Sequence, residues 1–152
     1  MLEAWRLVKA EHAAAAFSGE GAAKTGGRWN SRGVAVVYAS ATRSLAALET
    51  LVHLNPPMKF RYQLIRADFN ETLVEWLNLA ALPADWNLEP PSRITRMLGD
   101  NWVRASRSAV LAVPSVIMPE ETNYVLNPAH PDFGQIAIGK PAKFAFDPRL
   151  LV

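Results

Sequence analysis

Residues 34–53 read VAVVYASATRSLAALETLVH. The opening run, 34–39, is continuously apolar and rich in β-branched side chains, which predicts a strand buried on both faces. Ser40 or Thr42 can cap a helix behind it, with apolar residues at helical spacing to about His53, before an Asn-Pro-Pro stop. The stretch therefore predicts a buried strand followed directly by an amphipathic helix with a core-facing stripe.

Short apolar runs on either side of this stretch predict further elements. Strands are predicted over 5–8, 60–64 with a continuation to about 69, 109–113, 123–126, 136–138 and 143–146. Helices are predicted over 12–17 and from Ser92 to about Val103, the second interrupted at Gly99-Asp100, and a turn over 128–131. Residues 70–91 have no clear periodicity. No repeat or linker divides the chain, so we expect one α+β domain over residues 1–152, with short mixed strands flanked by helices.

Composition argues against several classes of protein. Half of the 152 residues are hydrophobic, which is enough for one buried core. The formal net charge is only +2, with 16 basic residues scattered among 14 acidic ones, so we expect no direct nucleic-acid partner. Cysteine is absent and the three histidines lie far apart, so neither a disulfide nor a catalytic metal is expected. No stretch is typical of a signal peptide or a membrane span, which predicts a cytoplasmic protein.

Four glycines precede Arg28 within the segment that starts at Ser18. They predict a loop whose backbone can approach a ligand closely. Free N–H groups at Gly26-Gly27 and the planar guanidinium of Arg28 would suit a phosphate. The same residues also fit a tight turn followed by a surface charge, so the segment by itself leaves both interpretations open.

Glu49 has an unusual position for a carboxylate. At helical spacing it lies about 40° from Leu45, on the border of the core-facing stripe. There it can stand near a developing cation, or it can simply pair with His53 one turn later.

Tyr38 ends the apolar strand, and it is either a core residue with its hydroxyl at the rim or a ring on which a flat heterocycle stacks.

Two later segments hold polar candidates. Ser115 follows a predicted strand and a proline, where its hydroxyl can point into a cleft or complete a turn. No histidine and acid accompany it at a readable spacing, so a serine triad is not expected. The stretch from Asn123 to Pro128 predicts a strand that enters a turn, and its polar side chains can also line a pocket.

Taken together, these segments resemble the RES domain family. The resemblance rests on Gly26-Gly27-Arg28-Trp29-Asn30, Val37-Tyr38-Ala39-Ser40, Ser44-Leu45-Ala46-Ala47-Leu48-Glu49, Val113-Pro114-Ser115, Asn123-Tyr124 with Asn127-Pro128, and Phe146-Asp147-Pro148-Arg149-Leu150. They cover nearly the whole chain in order. The family is named for an Arg, a Glu and a Ser, and Arg28, Glu49 and Ser115 match those positions.

The resemblance implies a fold similar to ADP-ribosyltransferase toxins and the toxin role in a bacterial toxin–antitoxin pair. The implied antitoxin is an Xre-like helix-turn-helix repressor that covers the cleft between Arg28 and Glu49 and carries the DNA binding, in a complex where the toxin can also self-associate. The implied activity consumes NAD as a substrate, not as a cofactor, by releasing nicotinamide to water or phosphate or by ADP-ribosylating a protein. No second carboxylate near Glu49 marks a protein-acceptor site, so hydrolysis is the first expectation. A nucleotide-binding or repressor-binding module without turnover is the remaining alternative.

The roles implied by the resemblance fit the residues. Glu49 would stabilise the oxocarbenium-like state formed as the nicotinamide–ribose bond breaks. Arg28 would hold the pyrophosphate or orient the dinucleotide, Tyr38 would stack on the nicotinamide, and Ser115 would bond the ligand or fix Glu49. The predicted site comprises the catalytic candidates Arg28, Tyr38, Glu49 and Ser115 and the binding candidates Gly27, Arg28, Asn30, Tyr38 and Asn123.

Overall fold

The computed structural model describes residues 1–53 and 61–150, and the strands within them form one mixed sheet. The strands are β1 (Leu2–Lys9), β2 (Val37–Ser40), β3 (Tyr62–Phe69), β4 (Val74–Trp76), β5 (Val110–Pro114), β6 (Thr122–Leu126), β7 (Ala137–Ile138) and β8 (Ala142–Phe144). Their order is β4-β5-β6-β2-β1-β3-β7, with β8 also pairing with β3. Only the β4–β5 pair among these is parallel. Together with the helices, the sheet confirms the predicted α+β class.

Three α-helices accompany the sheet in the described residues: α1 (Glu20–Thr25), α2 (Arg43–Leu51) and α3 (Arg93–Arg104). Short 3₁₀ segments occur at Ala10–Ala15, Glu71–Leu73, Leu79–Ala81, Pro131–Gln135 and Pro148–Leu150. Thr42 caps α2, since its hydroxyl accepts a bond from the Leu45 N–H at 3.1 Å. In the described part of the chain, no helix is both long and apolar enough to cross a membrane.

Strands β1 and β2 separate almost as soon as they meet. Strand β1 pairs with β3 from Leu2 opposite Phe69 to Lys9 opposite Tyr62. Its pairing with β2 is confined to Trp5 opposite Ser40. The backbone N–H and C=O groups of β1 and β2 on either side of the split need hydrogen-bond partners other than the facing strand. The space between the two strands forms part of the cleft described below.

Apolar side chains cover both faces of the sheet. Alternate residues of β5 and β6 enter different clusters: Val110 and Leu126 pack in one, and Leu111 and Val125 pack in the other. All four are essentially inaccessible. The run predicted over 109–113 is therefore a central strand buried on both faces.

The strand predicted over 34–39 begins later than expected. The Val34 N–H donates to the Ser31 carbonyl at 3.1 Å, and the Val34 carbonyl accepts a bond from the Asn30 side-chain amide at 3.0 Å. A turn therefore uses the backbone of Val34, and the ladder starts at Val37 and includes Ser40. Because Ser40 belongs to the strand, the helix cap is Thr42.

Part of the predicted 18–28 loop is the helix α1. Its residues include Glu20, Ala22 and Lys24, which favour a helix. Gly19 and Gly26 flank it with φ angles of 80° and 69°, in the region that side chains rarely adopt. The flanking glycines therefore mark the ends of a helix.

Helix α3 is not interrupted at Gly99-Asp100, contrary to the prediction. A Cβ at Gly99 would lie 1.7 Å from the Trp29 carbonyl oxygen, so only glycine lets α3 approach that backbone. Asp100 accepts a bond from the Ser31 N–H at 2.9 Å. Both residues fasten α3 to the segment that follows Arg28.

Other differences concern boundaries. The helix predicted over 12–17 is the 3₁₀ segment Ala10–Ala15, and β1 is longer than the predicted 5–8. Helix α2 ends at Leu51, before His53. Residues 70–91, for which no element was predicted, contain β4 and two 3₁₀ segments. The predicted Asn-Pro-Pro stop and the first residue of the 60–64 strand lie outside the described residues.

Candidate active site

A cleft of about 1410 Å³ opens where β1 and β2 separate. Its lining includes residues of both strands, of α1 and of α2. Six basic residues line it, namely Arg6, Lys9, Lys24, Arg28, Arg32 and Arg96. The lining glutamates are Glu20, Glu49 and Glu89. Positive charge therefore exceeds negative charge around the cleft, although the chain as a whole carries only +2.

Glu49 lies in this cleft within a polar group that we call the Glu49 cluster: Glu49, Ser115 and Asn123. The Ser115 hydroxyl donates to Glu49 Oε1 at 2.7 Å. The Asn123 side-chain amide donates to the same oxygen, also at 2.7 Å. No group in the described residues bonds Oε2, and the alternative pairing with His53 does not form. Both donors are neutral, so the charge of the carboxylate has no counterion in the cluster.

Ser115 bonds Glu49 from a buried position outside the cleft lining. It is 0% exposed and does not line the cleft, so the structure supports its fixing Glu49 and not its contacting a ligand. Its oxygen also accepts bonds from the N–H groups of Ile117 and Met118, both at 3.1 Å. The turn after β5 thus fixes the hydroxyl that orients the carboxylate.

Asn123 lies on β6 and lines the cleft. Its Oδ1 accepts a bond from the Ser40 hydroxyl at 2.7 Å, which leaves its NH₂ group to donate to Glu49. Ser40 is directly opposite Asn123 on the neighbouring strand β2. Sequence reasoning treated Ser40 as a possible helix cap and as part of the segment 37–40 that carries the resemblance, and it missed this contact.

Tyr38 and Asn30 belong to a second group, the Asn30 network: Trp29, Asn30 and Tyr38. The Tyr38 hydroxyl donates to Asn30 Oδ1 at 2.6 Å and accepts from the Trp29 N–H at 3.1 Å. The Asn30 amide donates to the carbonyls of Ala22 and Val34, at 2.9 and 3.0 Å. Asn30 is 0% exposed and does not line the cleft, so its position does not support a pocket role.

Burial raises the pKa of Tyr38 well above its ordinary value, because ionisation would place a phenolate in a poorly solvated position. Its hydroxyl therefore stays a donor to Asn30. The Tyr38 residue also lines the cleft, which leaves open the predicted stacking role of its ring.

The glycine pair closes a turn. The Gly26 N–H donates to the Ala22 carbonyl at 2.8 Å and the Gly27 N–H to the Asn30 carbonyl at 2.9 Å. Neither amide is free for a phosphate, so of the two interpretations that the sequence left open, the structure favours the tight turn over the phosphate-binding loop. A Cβ at Gly27 would lie 2.8 Å from the Tyr38 hydroxyl, so glycine is needed there for space.

Arg28 lines the cleft but is already engaged by its own chain. Its Nη1 donates to the carbonyls of Trp86 and Leu88, at 3.0 and 2.8 Å. Its Nη2 pairs with Glu89 at 3.0 Å, and this carboxylate is 71% exposed. Arg28 therefore fastens the 86–89 segment along the edge of the cleft.

Sequence reasoning missed Arg6, although its position in β1 could have indicated it. Arg6 alternates with buried Ala4 and Val8, so a charged side chain lies where a core side chain is expected. Its Nε donates to the Ala16 carbonyl at 2.6 Å and its Nη1 to the Tyr38 carbonyl at 2.9 Å.

The described residues contain no cluster of acids and histidines that would hold a metal ion.

Fold and sequence comparisons agree on what class of protein this is. The fold is similar to that of a chain in the crystal structure of the M. tuberculosis MbcT–MbcA toxin–antitoxin complex, with a TM-score of 0.76 at 18% identity, covering 95% of this chain and 84% of that one. The family model of the RES domain matches residues 3–147. This chain belongs to the RES domain family, which confirms the resemblance.

Curated relatives extend over most of the chain. The Prs ADP-ribosylating toxin of Sphingobium sp. strain YBL2 is 44% identical over 139 residues, covering 89% of this chain and 86% of that protein. Toxin Res of Photorhabdus laumondii is 38% identical over 149 residues, covering 97% and 96%. Toxin Res of Yersinia enterocolitica is 35% identical, covering 96% and 97%.

Proposed function

We propose that this chain is the toxin of a toxin–antitoxin pair and acts by cleaving the nicotinamide–ribosyl bond of NAD. Membership of the RES family and the names of its relatives support the toxin role. The single observation that carries the chemistry is Glu49: its Oε1 is fixed by two neutral donors, and its Oε2 is left without a partner among the described residues, in an open cleft.

The proposed mechanism uses this carboxylate electrostatically. As nicotinamide departs with the bonding electrons, positive charge develops on the ribose ring and its C1′ carbon. A carboxylate held in place before the reaction stabilises that charge without having to reorganise. Water then attacks C1′ and loses a proton to the solvent, which gives ADP-ribose; phosphate in its place forms the C1′–O bond and gives the phosphate of ADP-ribose.

The other predicted residues take supporting roles in this proposal. Ser115 and Asn123 hold Glu49, and Tyr38 offers a ring to the nicotinamide. Arg28 orients the dinucleotide by fixing the 86–89 segment along the edge of the cleft. The surplus of basic residues in the cleft suits a ligand with two phosphates.

The test is NAD turnover by purified Glu49→Gln protein. We expect nicotinamide release to fall by about 10²- to 10³-fold, since glutamine keeps the shape but removes the charge. The matched control is Glu120→Gln, at an exposed position outside the cleft, which should keep full turnover. A folded Glu49→Gln protein that releases nicotinamide at the parental rate would exclude the proposed role, and NAD binding by the parent without any release would favour a binding module.

ADP-ribosyl transfer to a protein is the second candidate, favoured by the name of the Sphingobium relative. The two activities differ in where the ADP-ribosyl group goes. With NAD labelled in its adenylate half and a cell lysate, transfer produces a labelled protein band, whereas hydrolysis or phosphorolysis produces only free ADP-ribose or its phosphate.

The proposed partner is an Xre-like helix-turn-helix antitoxin that covers the cleft, in line with the toxin–antitoxin complex that has a similar fold. We expect the purified antitoxin to inhibit NAD cleavage stoichiometrically and to protect residues 26–49 from hydrogen exchange. DNA binding should require the antitoxin. Sequence-specific DNA binding by this chain alone would contradict that division of roles.

A further inference from the structure

Ser40 is the one serine or threonine in the described lining of the cleft that bonds a member of the Glu49 cluster. It donates to Asn123 Oδ1 at 2.7 Å, and the Asn123 amide donates to Glu49 Oε1, also at 2.7 Å. The other serines and threonines of the lining make their side-chain bonds elsewhere, namely Ser18, Thr25, Ser31 and Thr50. Ser115, the second anchor of Glu49, lies outside the lining. Ser40 therefore has a position that no other such hydroxyl in the described residues shares.

The register of the sheet determines where the Ser40 hydroxyl lies. Ser40 is the last residue of β2 and is directly opposite Asn123 on β6. Side chains directly opposite each other on antiparallel strands have their Cβ atoms about 5 Å apart, close enough for a hydroxyl to meet an amide. On its other side Ser40 is opposite Trp5, at the point where β1 and β2 separate. Ser40 is therefore held between two strands, and it is only 3% exposed.

The bond from Ser40 engages the end of the Asn123 amide that Glu49 cannot use. A carboxylate only accepts hydrogen bonds, so it takes the NH₂ end of the amide and offers nothing to the carbonyl oxygen. Ser40 supplies the donor for that oxygen. With both ends bonded, the plane of the amide is fixed, and its NH₂ group stays directed at Oε1 of Glu49.

The two bonds also reinforce each other, because they run in one direction. Ser40 donates to the amide carbonyl, and the amide N–H donates to the carboxylate. Donation to the carbonyl oxygen polarises the amide and makes its N–H a stronger donor. Loss of the first bond therefore weakens the second, although the Ser40 hydroxyl itself bonds Asn123 and not Glu49.

We propose that Ser40 is a positioning residue for Glu49: it fixes the Asn123 amide, which in turn fixes Oε1 of the carboxylate and leaves Oε2 for the ligand. The inference rests on the proposed function for the reaction that Glu49 serves. It gives Glu49 a second line of support, from the strands β2 and β6, beside the one that Ser115 provides from the turn after β5.

Steady-state kinetics of Ser40→Ala test this role. We expect kcat for nicotinamide release to fall by about three- to tenfold with KM for NAD nearly unchanged, because one hydrogen bond in the support of Glu49 is lost. Ser44→Ala, at an exposed position in α2, is the matched control and should keep the parental kcat. A folded Ser40→Ala protein with parental kcat would overturn the proposal, whatever its KM.

The same substitution in an Asn123→Ala background shows whether Ser40 acts through Asn123. With the amide gone, the hydroxyl has nothing to position, so Ser40→Ala should lower kcat no further. A loss of the same size in both backgrounds would mean that Ser40 supports the strand pair and not the amide, and it would refute the positioning role.

Hydrogen exchange of side-chain amides, followed by NMR, measures the geometry without turnover. In the parent, the Asn123 NH₂ resonances, assigned by their loss in Asn123→Ala, should exchange slowly because both ends of the amide are bonded. In Ser40→Ala they should exchange severalfold faster, while the side chain of exposed Asn101 should exchange alike in both proteins. Equal exchange at Asn123 in the parent and in Ser40→Ala would contradict an amide fixed by Ser40.

The two kinds of measurement separate this inference from the proposed function. A parent protein that releases no nicotinamide refutes the enzyme, and amide exchange then decides by itself whether Ser40 fixes Asn123. Nicotinamide release that depends on Glu49 but not on Ser40 keeps the enzyme and refutes the positioning role.

Discussion

The Glu49 cluster and the Asn30 network are both polar groups beside one cleft, and they differ in how much of their hydrogen-bonding capacity the protein uses. Asn30 donates to backbone carbonyls and accepts from Tyr38, so both ends of its amide are engaged. Glu49 accepts two bonds on Oε1 and none from the described residues on Oε2. A polar group whose capacity is used by the chain supports the fold, whereas unused capacity facing open space is what a ligand needs.

The largest effect on the supporting side is expected from Gly99→Ala. The added Cβ would meet the Trp29 carbonyl oxygen, and α3 would have to move away from the Asn30 network. We expect the free energy of unfolding to fall by about 3 kcal/mol or more, measured by urea denaturation. The control is Gly21→Ala in α1, where nothing lies near the new Cβ and stability should hold or rise slightly. Equal stability of the two variants would show that α3 is not held at this contact.

Asn30→Ala tests whether the Asn30 network is structural. It removes the acceptor of the Tyr38 hydroxyl and the side-chain donor to the carbonyls of Ala22 and Val34, of which the Ala22 carbonyl keeps its bond from the Gly26 N–H. We expect a loss of about 3 kcal/mol in unfolding free energy. Asn101→Ala, at an exposed site on α3, should change it by about 0.5 kcal/mol or less. A stable Asn30→Ala protein without NAD turnover would instead assign Asn30 to catalysis.

Ser115→Ala tests whether Ser115 contributes to activity by positioning Glu49. Glu49 keeps the bond from Asn123 but loses one of its two anchors. We expect kcat for nicotinamide release to fall by about tenfold, or about 1.4 kcal/mol, with KM nearly unchanged. In a Glu49→Gln background the same change should have little further effect on kcat. A fall of equal size in both backgrounds would mean that Ser115 acts independently of Glu49.

The smallest effect is expected from Tyr38→Phe. The loss of the hydroxyl should cost about 1 kcal/mol at neutral pH, and KM for NAD should stay close to that of the parent if the ring stacks on the ligand. Because the folded-state pKa of Tyr38 is raised, the parent loses stability as pH rises above about 10, where only the unfolded tyrosine ionises. The variant should lose less over the same range. Identical pH dependence in both proteins would contradict the raised pKa.

Much of the fold was predictable from local pattern. The apolar run at 109–113 marked a strand buried on both faces, and the repeat of leucines after Thr42 marked α2, because both signals depend on neighbours along the chain. Two of the errors have one physical origin. Gly99 read as a helix interruption, and Val34 as part of a strand, because their roles depend on Trp29 and Asn30, which belong to other segments.

The candidate site was predictable in part: Glu49, Ser115 and Asn123 come together as the sequence suggested, whereas Arg6 and the contact of Ser40 were missed and the division of roles was not predicted. Order and spacing of Arg28, Glu49, Ser115 and Asn123 carried the family resemblance, and the RES domain match over residues 3–147 confirms it. The sequence left open whether Gly26-Gly27 forms a tight turn or a phosphate-binding loop, and only the structure shows that both amides are engaged.

The sequence by itself determined the α+β class, the buried strands, the family and the placement of Glu49 at the border of an apolar helix face. Only the tertiary structure decided which hydrogen-bonding groups remain free. It joined Ser115 and Asn123 to one oxygen of Glu49, engaged Arg28 with the 86–89 segment, and placed Arg6 in the split between β1 and β2, where it donates to the carbonyls of Ala16 and Tyr38. The reason is that local pattern reports which residues are buried, whereas the pairing of their donors and acceptors depends on segments far apart in the chain.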